Sequence, residues 1–282
     1  MTRIDKKFTL LRQEKRPALV TFITAGDPNR EICEELLTNL PEAGADIIEL
    51  GMPFSDPMAD GPSIQASSER AIKAGATLEQ TLDIVASFRE KDQETPLVLM
   101  GYYNPIYFMG VELFLKRARA AGVDGLIIVD LPPEADEELC LPAITAGINF
   151  IRLVAPTTDD MRLPKLIKNS SGFVYFISIA GITGTHGADL TKTKAYLQRI
   201  RGTTDLPITV GFGIRTPEQA AQFAFMSDGV VVGSAIVDKI KDNLDAQGKP
   251  KPELVGDVLH LVRDLSAAIK DSHSNNKEPG TK

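Results

Sequence analysis

The sequence predicts a single-domain α/β protein, a (β/α)8 TIM barrel, from three observations. Short apolar runs alternate with longer segments of helical periodicity, a pattern typical of parallel strands joined by helices. The runs are continuously apolar, as strands buried on both faces are. A chain of 282 residues has the usual length of one such barrel. The eight runs are Ala18–Ile23, Ile47–Leu50, Leu97–Met100, Gly125–Val129, Asn149–Leu153, Phe173–Ile177, Ile208–Gly211 and Gly229–Val232.

The structural alternative is an open, doubly wound sheet, which carries a G-x-G-x-x-G turn after its first strand. The loop at that place reads Thr24-Ala25-Gly26-Asp27-Pro28. Because this loop lacks the glycine pattern, we favour the closed barrel.

The segments between the strands carry apolar residues at the i, i+3, i+4 spacing of amphipathic helices. Gly44 and Gly122 indicate helix ends, since glycine accepts the left-handed conformation there. Thr216-Pro217 and Asp27-Pro28 indicate helix starts. The predicted helices are Arg30–Ala43, Ser63–Ala74, Thr77–Lys91, Gly110–Ala121, Glu134–Ala146, Asp159–Asn169, Pro217–Phe225 and Leu254–Ala268.

Three segments extend the bare barrel. Arg3–Glu14 predicts an extra N-terminal helix that closes the bottom of the barrel. Extended loops follow the second strand, where Pro53–Pro62 is rich in Pro, Asp and Gly, and the sixth strand. Residues 1–270 are therefore expected to form the catalytic barrel domain, and the polar tail 271–282 is predicted to be disordered.

The composition argues against several classes of function. The net charge of −7 and the pI of ≈ 5.1 argue against nucleic-acid binding, which needs clustered basic residues. No apolar run approaches about 18 uncharged residues, so no membrane span is expected. Cys33 and Cys140 are isolated, which favours a reducing compartment and predicts a cytoplasmic protein. No residues have metal-ligand spacing and no lysine ends an apolar strand, so neither a metal nor a Schiff base is expected.

Glycine-bearing turns end the last three predicted strands, at Ala180–Gly184, Gly211–Ile214 and Gly233–Ala235. Loops after the last strands of such barrels often bind a phosphate group. Glycine lets backbone N–H groups approach an anion, and a following helix adds a favourable dipole. One such turn is equally well explained as a simple tight turn, but three of them at strand ends predict a phosphate site.

A carboxylate lies within the second apolar run, at Glu49. An ionised carboxylate loses its hydration there, so it either pairs with a cation or an N–H group, or it keeps its proton with a raised pKa. Because the end of this strand opens at the mouth of the barrel, we favour a general acid–base. In the loop that follows, Asp60 is placed to face Glu49, and Asp56 is a turn residue. Asp130, after the fourth strand, is either a polar wall or a helix cap.

The sequence resembles the tryptophan synthase alpha chain family along nearly its whole length. The strongest motif is Leu50–Pro62, which is preceded by Glu49 and followed by Ile64-Gln65. Its length makes chance agreement negligible. Shorter matching motifs are Phe22–Pro28, Met100–Pro105, Asp130–Pro132, Gly181–Gly184 and Gly211–Ile214.

The resemblance implies a reaction, the retro-aldol cleavage of indole-3-glycerol phosphate to indole and glyceraldehyde 3-phosphate. Glu49 matches the acid–base catalyst, which protonates the indole ring carbon and helps to remove the proton of the glycerol hydroxyl. Asp60 matches the residue that holds the indole N–H and stabilises positive charge on the ring. The residues that match the phosphate site are Gly184, Gly213, Gly233 and Ser234. The residues that match the indole pocket are Phe22, Met100, Leu153, Tyr175, Thr183 and Phe212.

The resemblance also implies a partner, a pyridoxal-phosphate-bearing beta chain that receives indole through a tunnel in an α2β2 heterotetramer and condenses it with L-serine. The alpha chain itself is expected to need no cofactor. The implied interface includes Pro53, Asp56 and the region Asn104–Phe108. One departure is the loop after the sixth strand, which reads Thr185-His186-Gly187-Ala188-Asp189 where many relatives carry an arginine.

Two other functions are weighed against this one. A ribulose-phosphate epimerase would need metal-ligand histidines, which this sequence lacks. A barrel that mainly activates a beta partner and turns over poorly alone is compatible with the sequence. An assay of indole release with and without a beta chain separates that activator from an enzyme.

Overall fold

The computed structural model describes residues 1–177, 190–211 and 213–274. Within these residues the chain alternates parallel strands and helices. The strands are β1 (Ala18–Thr24), β2 (Ile47–Gly51), β3 (Leu97–Gly101), β4 (Gly125–Ile128), β5 (Asn149–Phe150), β6 (Arg152–Val154), β7 (Val174–Ile177), β8 (Ile208–Gly211) and β9 (Gly229–Val232). The helices are α1 (Arg3–Gln13), α2 (Arg30–Ala43), α3 (Pro62–Lys73), α4 (Leu78–Lys91), α5 (Tyr103–Met109), α6 (Val111–Ala121), a 3₁₀ turn (Pro133–Ala135), α7 (Cys140–Thr145), α8 (Arg162–Ile167), α9 (Leu190–Arg201), α10 (Pro217–Ala224), α11 (Ser234–Asp242) and α12 (Leu254–Ser274).

The strands form a ring, which confirms the predicted (β/α)8 barrel. β1 pairs with β2 on one side and with β9 on the other, and the pairing continues in both directions to β5 and β6. Only Ile151 separates β5 from β6, and its N–H donates to the carbonyl of Leu126 on β4 at 2.9 Å. β5 and β6 are therefore one barrel strand that changes neighbours, from β4 to β7. All eight predicted strands are present.

The N-terminal helix closes the bottom of the barrel, as the sequence predicts. Ile4, Phe8 and Leu11 of α1 are buried and belong to one apolar cluster with Val20 and Ile47, which lie on the strands. Removing this apolar surface from water stabilises the closed end. Space for a ligand is therefore left at the opposite end, where the strands have their carboxyl termini.

Two predicted helices are wrong in length because each contains a proline. The segment Glu134–Ala146 forms only the 3₁₀ turn and α7, and the segment Asp159–Asn169 forms only α8. The proline ring clashes with the carbonyl four residues earlier, so proline favours the first turn of a helix, although α2 does continue through Pro41 near its end. α7 and α8 begin just before Pro142 and Pro164, which places each proline in a first turn.

Helix α5, which is not among the predicted helices, is capped from a neighbouring loop. The backbone N–H of Tyr103, its first residue, donates to the carboxylate of Asp130 at 2.8 Å. Asp130 is therefore a helix cap, one of the two interpretations of that residue. It caps the helix after β3 and not the turn that follows it in the chain. Helix α9 is a second addition to the predicted elements.

Two helix boundaries also differ from the prediction. Helix α2 begins at Arg30 with the side chain of Asn29 as its cap, so Asp27-Pro28 is not its start. Helix α12 continues to Ser274, past the predicted end at Ala268. Residues 275–282 lie outside the described part of the chain, and the domain boundary at residue 270 stays a prediction.

Helix α3 is anchored on the end of β1 by two buried contacts. Both carboxylate oxygens of Asp27 accept hydrogen bonds from Arg70, each at 2.8 Å, and the Asp27 side chain is fully buried. The hydroxyl of Thr24 lies 2.6 Å from that of Ser67. Because Ser67 already donates to the carbonyl of Ile64, Thr24 is the donor. These contacts fix the helix that follows the loop after β2.

No helix among the described residues combines the length and apolar character needed to cross a membrane. Within the same part of the chain, no three His, Cys, Asp or Glu side chains cluster closely enough to hold a metal ion. Both cysteines are buried and unpaired.

Candidate active site

Glu49 lies in the middle of β2, with Phe22 of β1 and Val98 of β3 as its register partners. Its side chain is fully buried. Neither carboxylate oxygen has a hydrogen-bond partner among the described residues. Burial raises the pKa of Glu49 to about 8, because an unpartnered charge is costly in apolar surroundings. At neutral pH this group therefore holds a proton that it can donate.

The loop of residues 52–61, here named loop 2, joins β2 to α3 and is held by that helix. The hydroxyl of Ser68 accepts a hydrogen bond from the N–H of Phe54 at 2.8 Å and donates to its carbonyl at 3.0 Å. Near the other end of the loop, the side-chain amide of Gln65 donates to the carbonyl of Asp60 at 2.8 Å. The backbone of Asp60 is therefore fixed relative to α3.

The side chain of Asp60 is fixed by a tyrosine from another strand end. The hydroxyl of Tyr102 donates to the carboxylate of Asp60 at 3.0 Å, and it accepts a hydrogen bond from the N–H of Ala59, also at 3.0 Å. Burial raises the pKa of Asp60, whereas the hydrogen bond from Tyr102 lowers it. Tyr102 is missing from the site residues predicted by sequence. Its place directly after a barrel strand was the signal that could have found it.

Predicted indole-pocket residues lie around one cavity at this end of the barrel. Phe22 and Met100 line the cavity together with Asp60. Both side chains are apolar, and an apolar lining suits an aromatic ligand. Because Phe22 is also the register partner of Glu49, the cavity and the buried carboxyl adjoin each other.

Two further pocket residues, Leu153 and Tyr175, lie in the apolar cluster inside the barrel. Tyr175 is almost fully buried. Burial is the main cause that raises its pKa well above the ordinary value. Tyr175 is the register partner of Leu153, so both side chains face the inside of the barrel.

The described part of the predicted phosphate site lies after β8 and β9. Gly213 has a φ of 79°, a left-handed conformation that favours glycine. Ser234 is the first residue of α11 and Gly233 precedes it, so the positive end of the helix dipole points to this place. A Cβ atom on Gly233 would lie 3.3 Å from the Cβ of Phe22. The predicted phosphate site therefore adjoins Phe22, which lines the cavity.

Three predicted site residues, Thr183, Gly184 and Phe212, lie outside the described residues, as does the loop that contains His186. Their roles stay predictions.

The arrangement combines a proton donor, a second carboxylate, an apolar cavity and the start of a helix. The chemistry of these groups suits a ligand with an aromatic ring and a phosphate group. The protonated Glu49 can transfer a proton to such a ligand, and Asp60 can stabilise a positive charge that forms on it.

Comparison with known proteins gives consistent matches over almost the whole chain. The family model for the tryptophan synthase alpha chain matches residues 8–267. Tryptophan synthase subunit alpha from Legionella pneumophila strain Paris is 40% identical, with a TM-score of 0.88 over 96% of this chain and 99% of that chain. The alpha chain from Legionella pneumophila subsp. pneumophila is 38% identical, with a TM-score of 0.86 over 99% of both chains.

A more distant match comes from tryptophan synthase of Mycobacterium tuberculosis in its ligand-free form. It is 31% identical, with a TM-score of 0.84 over 96% of this chain and 100% of that chain. The likeness therefore spans the full length of each of these three structures, and not only the barrel core.

Proposed function

The chain belongs to the tryptophan synthase alpha chain family, and we propose that Glu49 and Asp60 are the two catalytic carboxylates of the family's reaction. That reaction cleaves indole-3-glycerol phosphate to indole and glyceraldehyde 3-phosphate. The observation that carries the proposal is the buried carboxyl of Glu49, which has no hydrogen-bond partner among the described residues. Phe22, the register partner of Glu49, lines a cavity together with Met100.

Glu49 supplies the proton that carbon–carbon cleavage requires. The bond between the indole ring and the glycerol chain breaks only when the ring carbon that leaves can take up the electron pair. Protonation of that carbon by the Glu49 carboxyl prepares the ring for this role, and a pKa of about 8 keeps the carboxyl protonated at neutral pH. The carboxylate that results then accepts the glycerol hydroxyl proton as the bond breaks and the aldehyde forms.

Asp60 stabilises the intermediate between these two steps. Protonation of the ring carbon places positive charge on the indole, and a carboxylate at the ring N–H lowers the energy of that charge. The hydrogen bond from Tyr102 lowers the pKa of Asp60 against the effect of its burial, which favours the ionised form that this role needs.

The glycines and the helix start bind the opposite end of the substrate. Gly213, Gly233 and Ser234 lie at the carboxyl ends of β8 and β9, next to the ring of Phe22. Backbone N–H groups and the Ser234 hydroxyl there suit a phosphate. Holding the phosphate and the indole ring at once orients the bond that breaks, so binding energy is used for orientation.

Alpha chains of this family work in a complex with a beta chain, and we place the contact surface on loop 2 and residues 104–108. Tyr107 and Phe108 are 69% and 92% exposed. Large apolar side chains exposed side by side are typical of a protein interface. The α2β2 stoichiometry, with pyridoxal phosphate held by the beta chain, belongs to this proposal. A cytoplasmic location and the lack of a cofactor in the alpha chain stay predictions.

The direct test is the release of indole from indole-3-glycerol phosphate by the purified chain, measured alone and with a beta chain. The proposal predicts indole in both assays, with faster release in the complex. Indole only in the presence of the beta chain would favour the activator interpretation. No indole in either assay would contradict the proposed function.

A further inference from the structure

We propose that Tyr102 is a positioning residue, whose hydroxyl holds the carboxylate of Asp60 in one orientation and favours its ionised form. This inference rests on the proposed role of Asp60. Tyr102 lies between β3 and α5 and is 3% exposed. It acts through Asp60 and is not itself expected to exchange a proton with the substrate.

The hydrogen bonds of the Tyr102 hydroxyl leave one assignment of its proton. The N–H of Ala59 can only donate, so the phenol oxygen accepts that bond. The single phenol proton is then directed to the carboxylate of Asp60, at 3.0 Å. Two adjacent residues of loop 2 are thus bound to one side chain that comes from the end of another strand. The carboxylate cannot turn away without breaking a charge-assisted hydrogen bond.

The ring of Tyr102 also contacts the beginning of loop 2. The rings of Phe54 and Tyr102 are 5.2 Å apart between centroids. Ser68 binds both the N–H and the carbonyl of Phe54, so α3 fixes the position of the Phe54 backbone. The chain of contacts therefore runs from α3 through Phe54 and Tyr102 to Asp60.

The surroundings of Asp60 and Tyr102 change the pKa values of both side chains. Burial is the main cause of the raised pKa of Asp60, and Tyr102 opposes it. The charges of Asp60 and Asp130 raise the pKa of Tyr102, as burial does. Tyr175, on β7, has a raised pKa mainly because it is buried, and it is therefore neutral. Among these neighbours, only the hydroxyl of Tyr102 forms a hydrogen bond with the Asp60 carboxylate in the described part of the chain.

The test is Tyr102→Phe, which keeps the ring against Phe54 and removes the hydroxyl. We expect kcat for indole release to fall about tenfold or more, which is the usual size of a lost hydrogen bond to a charged group. KM is expected to stay within about twofold, since the hydroxyl is not assigned to substrate binding. The acidic limb of the kcat profile should move to higher pH, because Asp60 loses the bond that lowers its pKa. Tyr196→Phe, on α9 against Phe176, is the matched control and should change neither value.

A second readout does not depend on activity. The Asp60 carboxyl, followed by ¹³C NMR in the substrate-free protein, should titrate at higher pH in Tyr102→Phe than in the wild type. If wild-type protein releases no indole, the proposed function fails while this titration still decides the role of Tyr102. An unchanged Asp60 titration together with an unchanged kcat would overturn the inference.

Ser68→Ala tests the support of the ring with Tyr102 intact, and so covers the case in which Tyr102→Phe does not fold. It should lower kcat in the same direction by a smaller factor. The double variant Ser68→Ala/Tyr102→Phe should lower kcat by a smaller factor than the product of the two single-variant factors, because both substitutions act through Asp60. Fully multiplicative effects would overturn the link between Ser68 and Tyr102. Ser63→Ala, on the same helix, is its control.

Discussion

Glu49 and Phe22 are direct partners in the parallel ladder between β1 and β2. Paired residues of adjacent strands point to the same face of a sheet, so the buried carboxyl and the aromatic ring that lines the cavity both face the inside of the barrel. The fold thereby removes the carboxyl from water and also places it beside the aromatic ring that lines the cavity. Burial raises the pKa of Glu49 to about 8 for this reason.

The stability of the protein should depend on pH through Glu49. Its pKa is about 8 when folded and about 4.3 in an unfolded chain, so the folded state binds the proton more tightly. The contribution of Glu49 to stability is therefore complete below the unfolded pKa and is lost as the pH rises toward 8. Urea unfolding of wild type and Glu49→Gln at pH 5, 6, 7 and 8 tests this. The wild type should lose stability relative to the variant across this range, and a pH-independent difference would show that the carboxyl is not desolvated.

Gly51 should resist substitution because the ring of Phe22 lies over it. A Cβ atom at Gly51 would come within 2.6 Å of Cζ of Phe22, so Gly51→Ala has to displace that ring. We expect a loss of about 1–3 kcal/mol in the free energy of unfolding and a higher KM. In a Phe22→Leu background both close ring atoms are removed and the carbonyl oxygen of Ile23 lies at an ordinary contact distance of 3.6 Å, so the same substitution should cost less. Equal cost in both backgrounds, measured by urea unfolding, would rule out the contact.

The ion pair between Asp27 and Arg70 should contribute more to the free energy of unfolding than a surface ion pair on the same helix. Arg70→Leu leaves the Asp27 side chain, which is 0% exposed, without its cation. Unpaired buried charges cost about 3–5 kcal/mol. Lys73→Leu is the matched control, since Lys73 pairs with Glu69 while both side chains are largely exposed, and it should cost less than about 1 kcal/mol. Similar losses of stability for both variants in urea unfolding would mean that the buried pair stabilises the protein no more than the surface pair does.

The exposed ring of Phe108 should matter for the complex and not for the fold. Phe108→Asp places a charge on the proposed contact surface, and we expect the affinity for a beta chain to fall at least about tenfold, as for an interface residue of this kind. Leu10→Asp, on α1 at the closed end of the barrel, is the control and should bind normally. Isothermal titration calorimetry measures both. Unchanged binding by Phe108→Asp would remove residues 104–108 from the interface.

The strands and the acid were predictable from sequence for one common reason. Strands buried on both faces need continuous apolar runs, which are easy to recognise in a sequence. A carboxylate inside such a run, as at Glu49, is easy to recognise for the same reason. The helices were less predictable. The apolar periodicity begins several residues before Pro142 and Pro164, but each helix begins only two residues before its proline, so α7 and α8 are shorter than their patterns indicate.

The contacts that hold the site could not be predicted from periodicity. Tyr102 and Asp60 are far apart in the chain, as are Thr24 and Ser67, and they meet only because neighbouring strands end at the same side of the barrel. The sequence identified the ends of the strands as the place of the functional site. It did not identify which pairs of side chains form hydrogen bonds there, because the conformation of the surrounding backbone determines those pairs.

The measurement that most directly tests the central claim is the comparison of turnover and binding in Glu49→Gln. Glutamine keeps the size of the side chain and cannot donate the acidic proton, so indole release from indole-3-glycerol phosphate should fall at least about a hundredfold. The affinity for the substrate should stay close to that of the wild type, and Glu42→Gln, an exposed position on α2, should have no effect on either. Near-normal turnover in Glu49→Gln would contradict the account and make Glu49 a structural residue.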